Sequence, residues 1–201
     1  MFHTSIEPRA GMSSSVHHLM AFVGTPLPSA ADMALCREKV RAGRDCIALR
    51  FAAEAKKATS RHALRTSFTA DDWRMLASFC IATRLPAGFR VLMPGSADRT
   101  LRLVVEGSLS QQSAAVRATA GQPTLLLPGT VLGEDTIFSN EPGELEVRAV
   151  EDSLILELSL PRRRELTAAC PAIAFELLRA AGAVIAARGR ASAQRDALAT
   201  N

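Results

Sequence analysis

The chain has 201 residues, 48% of them apolar and 22% charged, with a formal net charge of +4. That length and composition fit one globular domain with an extension, or two small domains, and exclude a membrane-spanning helix, because no apolar run approaches the roughly 20 residues such a helix needs. The start of the chain carries Glu7 and lacks a basic end followed by an apolar stretch, so no secretory signal is expected and the chain is predicted to be cytoplasmic.

The net charge hides a division. Residues 1–66 hold ten Lys/Arg and five Asp/Glu, residues 88–160 hold five and ten, and residues 161–201 hold seven and three. Basic ends around an acidic middle suit contact with an acidic partner at the ends, while the middle is a poor environment for a phosphate. The four cysteines, Cys36, Cys46, Cys80 and Cys170, form no Cys-x-x-Cys pair and match no zinc spacing, so they are read as reduced packing residues. The histidines His3, His17, His18 and His62 all precede the strand-rich region, which removes a metalloenzyme of the inward-facing histidine type.

In chain order, residues 1–28 read as a flexible tail rich in serine, glycine and proline. Residues 29–66 read as a helical extension in which Met33, Cys36, Val40, Ile47 and Phe51 form one apolar stripe. Gly43 interrupts the stripe and offers a point of division into two helices. That stripe is expected to be buried. Thr69-Ala70-Asp71-Asp72 starts another helix with a capping-box pattern, and the apolar face Trp73, Leu76 and Cys80 carries it toward Pro86. Then Gly88, Gly95, Gly107, Gly121, Gly129, Gly133 and Gly143 punctuate short β-rich pieces at Phe89–Met93, Leu101–Glu106, Thr124–Leu127, Glu144–Val150 and Leu154–Leu158. Evenly spaced short strands with turn signals predict an antiparallel barrel or sandwich. Ser159 is placed to cap a helix with Pro161 in its first turn, Cys170-Pro171 breaks it, and a last helix runs from about Ala172 to Arg190. Residues 191–201 read as a fraying C-terminal tail.

Five of these pieces occur in the order found in cyclic nucleotide-binding domains. They are Leu85-Pro86-Ala87-Gly88, Leu103-Val104-Val105-Glu106-Gly107, Pro128-Gly129 followed by Gly133-Glu134, Val150-Glu151-Asp152-Ser153, and the closing helices from Ser159. Residues 67–190 therefore resemble that family, of the catabolite activator type. The resemblance implies a mainly β fold with flanking helices: an antiparallel β jelly roll with a helical N-terminal extension and two C-terminal helices. It also implies a ligand cassette at Gly133, Glu134, Asp135, Thr136, Gly143, Glu144 and Arg148.

In the family a glutamate accepts a hydrogen bond from the ribose hydroxyl and an arginine about nine residues later pairs with the cyclic phosphate. Glu134 matches the glutamate. Counting back from Val147-Arg148-Ala149-Val150, the arginine falls at Gly143 and its small neighbour at Glu144, while Leu132 replaces the family's phenylalanine. Losing a buried charge-assisted pair costs about 2–5 kcal/mol, which is roughly 30- to 3000-fold in affinity. Strand alternation puts Arg148 opposite Gly143, so it does not stand in for the missing cation.

A cyclic nucleotide is thus not the favoured ligand, and no cofactor is assigned. No Walker loop, dinucleotide fingerprint or Gly-x-Ser-x-Gly appears. Glu134 and Asp135, as neighbours pointing apart, make no acid/base pair, so an enzyme is not expected. About eleven residues follow Arg190, too few for a helix-turn-helix, so the chain is not expected to bind DNA by itself. Two readings of function remain. One is an interaction module with a degenerate pocket, working through a protein partner or as a homodimer through residues 172–190. The other is a sensor that binds a nucleotide in a non-standard mode and relays it through the C-terminal helix.

Overall fold

The computed structural model describes residues 30–113, 116, 122–139 and 141–199, with the backbone alone for residues 30–41 and 195–199. The chain divides between Glu38 and Lys39. Of the first unit, Ala30–Glu38 is described, as helical backbone. The rest of the described chain belongs to the second unit. The side chains of Met33, Cys36 and Val40 lie outside the described residues, as does the tail assigned to residues 1–28.

Helix α1 spans Ala30–Lys57 and α2 spans Ala70–Ser78. Among the described residues eight strands follow: β1 (Ile81–Leu85), β2 (Arg90–Leu92), β3 (Leu101–Glu106), β4 (Leu109–Ser113), β5 (Thr124–Leu126), β6 (Val131–Leu132), β7 (Leu145–Ala149) and β8 (Ser153–Leu158). A short helix α3 (Asp135–Phe138) lies between β6 and β7, and α4 (Leu160–Ala169) and α5 (Pro171–Ala199) close the described chain. The strands form two four-stranded antiparallel sheets, in the orders β1-β8-β3-β6 and β2-β7-β4-β5. This is the expected jelly roll with flanking helices.

The apolar pattern explains the layering. Along β3, Leu101, Leu103 and Val105 alternate with Val104, and all four are buried. The odd residues join one core with Leu154, Leu156 and Leu158 of β8 and with the helices. Val104 and Ile155 point the other way, onto Leu109, Leu126 and Val147 of the second sheet. A strand buried on both faces loses the polar alternation of an exposed strand, which is why β3 and β8 read as nearly continuous apolar runs.

The end of α1 is built into the first core. Ala48, Phe51, Ala52 and Ala55 are buried there beside Leu64, Phe68 and Trp73, and Ile47 packs against them. Trp73 meets Phe51 at 5.3 Å and Phe68 edge-on at 5.1 Å between ring centroids. The Pro128-Gly129 turn lies against α1 so closely that a Cβ at Gly129, where φ is +85°, would stand 2.6 Å from the backbone nitrogen of Ala55. No helix among the described residues is long and apolar enough to cross a membrane.

Several local expectations change. Helix α1 runs through Gly43 unbroken, since an interior glycine costs about 1 kcal/mol but does not stop a helix. Helix α2 ends at Ser78 rather than continuing toward Pro86, because Ile81–Leu85 pairs with β8 from Ile81↔Glu157 to Leu85↔Ser153. Thr69 does close the capping box with Asp72, whereas Ser159 occupies the N-cap position of α4 without a side-chain hydrogen bond. Helix α5 continues through residues 191–199, where the polar C-terminal tail was placed: alanines recur there and no glycine or proline follows Gly189.

Candidate functional site

The site is made where β6 leaves the first sheet. The backbone N–H and the Thr130 hydroxyl both donate to the Leu127 carbonyl, at 3.1 and 2.6 Å, closing the Pro128-Gly129 turn. Strand β6 then pairs Leu132 with Arg102 and Val131 with Leu103. At Gly133 φ is +80°, and a Cβ would lie 2.4 Å from the Thr100 carbonyl oxygen, so the corner needs glycine. Glu134 follows as the N-cap residue of α3 without making a side-chain cap bond. The Thr136 hydroxyl donates to the Gly133 carbonyl at 2.7 Å.

The Glu134 side chain has no exposed surface. Its Oε1 meets Nη1 of Arg188, which comes from the far part of α5. Arg188 also donates to the Val131 carbonyl at 3.4 Å. Glu134 Oε2 and Arg188 Nε are buried without hydrogen-bond partners. The position that the family resemblance gives to a ribose hydroxyl is thus occupied by the chain's own guanidinium. Spacing rules could not find Arg188, because the contact crosses most of the domain.

Arg188 also borders a cavity whose lining includes Leu92, Ser96, Asp98, Gln111, Asp135 and Val147, together with Gly133, Thr136 and Gly143. The structure therefore brings together Gly133, Asp135, Thr136 and Gly143 of the predicted set, with Glu134 behind Arg188. It separates the other two: Glu144 is exposed, and neither it nor Arg148 lines the cavity. The reason is strand alternation on β7. Arg148 turns to Glu146, at 2.5 Å from Nε to Oε1. Gly143 exchanges backbone hydrogen bonds with Gly95 and Ser96 instead. Asp98 is tied to Arg102 at 2.5 Å, and hydrogen bonds from Arg102 and Thr100 hold its carboxyl below the usual range against the effect of burial. The cavity is about 20 Å³, room for a water molecule, whereas small-molecule pockets run from about 300 Å³ upward.

Two buried titratable groups flank this contact. Burial pushes the Glu134 carboxyl up to about 7, although the Arg188 guanidinium pulls it back. A raised carboxyl contributes stability that is fully present below the ordinary 4.5 and is lost as pH rises through about 7. That difference is about 3 kcal/mol at about 1.4 kcal/mol per unit. His62 acts in the opposite direction. Burial, then Arg188 and Arg61, push it down to about 4, so its contribution is present above 6.5 and lost as pH falls through about 4. The two slopes oppose each other over most of this window, and the wild-type curve alone hides both. The stability of Glu134→Gln relative to wild type is therefore expected to rise by about 3 kcal/mol between pH 4.5 and 8, measured by urea unfolding at each pH. A difference that does not change with pH would contradict this assignment.

No protein-family model and no curated protein matches the sequence. Solved structures do match. A cyclic nucleotide-binding domain from Methylobacillus flagellatus KT aligns over 75% of this chain and 83% of its own, with a TM-score of 0.61 and 19% identity. The Thermus thermophilus catabolite activator protein aligns over 67% of this chain and 61% of its own, with a TM-score of 0.55 and 22% identity. The c-di-GMP responsive global regulator CLP of Xanthomonas campestris aligns over 63% and 64%, with a TM-score of 0.50 and 18% identity. The fold is that of the cyclic nucleotide-binding domains. The latter two proteins are each matched over less than two thirds of their length.

Proposed function

We propose that this chain is a non-enzymatic regulatory module whose nucleotide pocket is closed from within and which acts through protein contacts. The observation that carries this reading is the Arg188–Glu134 pair. The carboxylate suited to a ribose hydroxyl is already engaged, the phosphate position is a glycine, and the remaining cavity is about 20 Å³. A specific observation also favours the second reading, a sensor working in a non-standard mode. Arg188 sits on the C-terminal helix, so any ligand that displaced it would act on that helix directly.

The contact surface we assign is on α5 and pairs with a second copy of the chain. Ile173, Leu177, Ala180 and Val184 are spent on the protomer's own core. Val184 is thus unavailable for pairing. Phe175, Leu178, Gly182 and Ile185, spaced three and four apart, form another stripe. Phe175 is 70% exposed, and Phe138, 57% exposed, lies 4.0 Å from where a Cβ on Gly182 would stand. Small residues with flanking large apolar ones allow close, self-complementary helix pairing. Light scattering is expected to give about twice the 21.5 kDa chain mass, and Phe175→Glu with Ile185→Glu is expected to return the single-chain mass without loss of fold. A single-chain mass for the wild type at tens of micromolar would end this assignment.

A further inference from the structure

We propose that the space beside Glu134 is a socket for a guanidinium group, and that its ligand is a guanidinium-bearing molecule that takes the place of Arg188. This rests on the reading that the pocket is closed to nucleotides, and it supplies the chemistry of what opens it.

The present pair is only half used. Arg188 brings one nitrogen to one oxygen of Glu134, leaving Oε2 and its own Nε buried without partners. A guanidinium is a planar fork that satisfies both oxygens of a carboxylate at once, and a free ligand, unlike Arg188, is not constrained by the helix that carries it. The charge of the site agrees. Among the described residues, Arg188 is the one Lys or Arg that borders the cavity, whose other polar residues include Ser96, Gln111, Thr136 and the acids Asp98 and Asp135. Asp98 stays neutralised by Arg102. With Arg188 withdrawn, Glu134 and Asp135 are left with no Lys or Arg lining the cavity among the described residues, an arrangement that repels phosphate and attracts a cation. Leu92, Leu145 and Val147 provide apolar wall for an aliphatic stem. The volume that Arg188 vacates is, by its nature, that of a guanidinium group.

The helix is built so that Arg188 can leave. The last fully buried residue of α5 among those whose side chains are described is Val184; residues 185–194 are half-buried or exposed. Gly189, next to Arg188 and with open space where a Cβ would go, weakens the helix there. Segments with few buried contacts open at the lowest free energy.

The ligand has two sources with one chemistry: a small guanidino compound, or an arginine side chain on a protein. The test uses the full chain and three probes at matched ionic strength. They are agmatine, a blocked Gly-Arg-Gly tripeptide, and putrescine as a diamine without the guanidinium. In Arg188→Ala, millimolar agmatine is expected to raise the thermal midpoint by several degrees, putrescine is not, and Glu134→Gln/Arg188→Ala is expected to show no rise with either. The wild type is expected to need roughly tenfold more agmatine, because the tethered Arg188 competes at millimolar effective concentration. There, agmatine and not putrescine is expected to speed hydrogen exchange across residues 185–194, a readout that does not depend on the variant folding. A response to the tripeptide at lower concentration than agmatine assigns the socket to a protein arginine; a stronger response to agmatine assigns it to a small molecule. Absence of an agmatine-specific effect in both proteins, or an equal effect in the double variant, overturns the socket. Failure with agmatine leaves the closed-pocket reading intact, whereas tight binding of cyclic AMP would overturn that reading itself.

Discussion

Phe51→Ala is expected to destabilise the protein by about 3–5 kcal/mol. Phe51 is wholly buried at the meeting of α1, α2 and the first sheet, with Trp73 tilted against it at 5.3 Å and Phe68 held edge-on to that tryptophan. Its buried neighbours on α1 are Ala48, Ala52 and Ala55, whose methyl groups have no torsion that could swing them into the gap. The cost is therefore a lost transfer free energy plus a cavity that does not collapse. Trp73 is the one tryptophan in the chain, so its fluorescence during urea unfolding reports this site directly. A loss below about 1 kcal/mol, the range of surface substitutions, would mean that α1 is not part of the core.

Arg188→Ala carries a smaller loss with a distinctive dependence on pH. Above the Glu134 value of about 7 the carboxylate is charged, and removing its partner leaves a buried uncompensated ion. The carboxyl escapes that by taking up a proton, so proton linkage limits the rise in the loss between pH 5 and pH 8 to about 1.4 kcal/mol, for a total of about 2–3 kcal/mol at pH 8. Near pH 5 the carboxyl is protonated, and the loss is expected to shrink to about 1 kcal/mol, the worth of an ordinary hydrogen bond such as that to Val131. Glu134→Gln/Arg188→Ala is expected to be more stable than Arg188→Ala alone at pH 8, because no charge is left buried. Equal losses at pH 5 and pH 8 would show that Arg188 stabilises by packing and not by pairing.

Much of the fold was legible because it is carried by local signals. Pro128-Gly129 and Gly133 sit where the backbone needs a turn and a left-handed corner, and Thr69 with Asp72 closes the capping box that its spacing predicts. Strands buried on both faces, β3 and β8, announce themselves as apolar runs. What was missed depended on tertiary pairing. Ile81–Leu85 continues a helical pattern and becomes a strand only through its ladder with β8. Leu109–Ser113 is too polar to read as a strand and is held by neighbours on both sides. At the site, Glu134 and the glycine at Gly143 could be found by position. Arg188 could not, since it lies 57 residues from Val131, whose carbonyl it touches. Arg188 stands beside Gly189 and Arg190 in a stretch rich in arginine, and its meaning requires knowing that the helix passes over β6.

The most direct test is a calorimetric titration of the wild-type chain with cyclic AMP, cyclic GMP and cyclic dinucleotides at pH 8, where the Arg188–Glu134 pair is fully charged. The closed pocket predicts no saturable heat up to millimolar nucleotide. Gly143→Arg/Arg188→Ala serves as the responsive control, because a Cβ at Gly143 meets nothing nearer than the Ser96 carbonyl oxygen at 3.9 Å. That variant frees Glu134 and restores a cation at the phosphate position. A wild-type dissociation constant near about 1 μM, worth about 8 kcal/mol, would contradict the account.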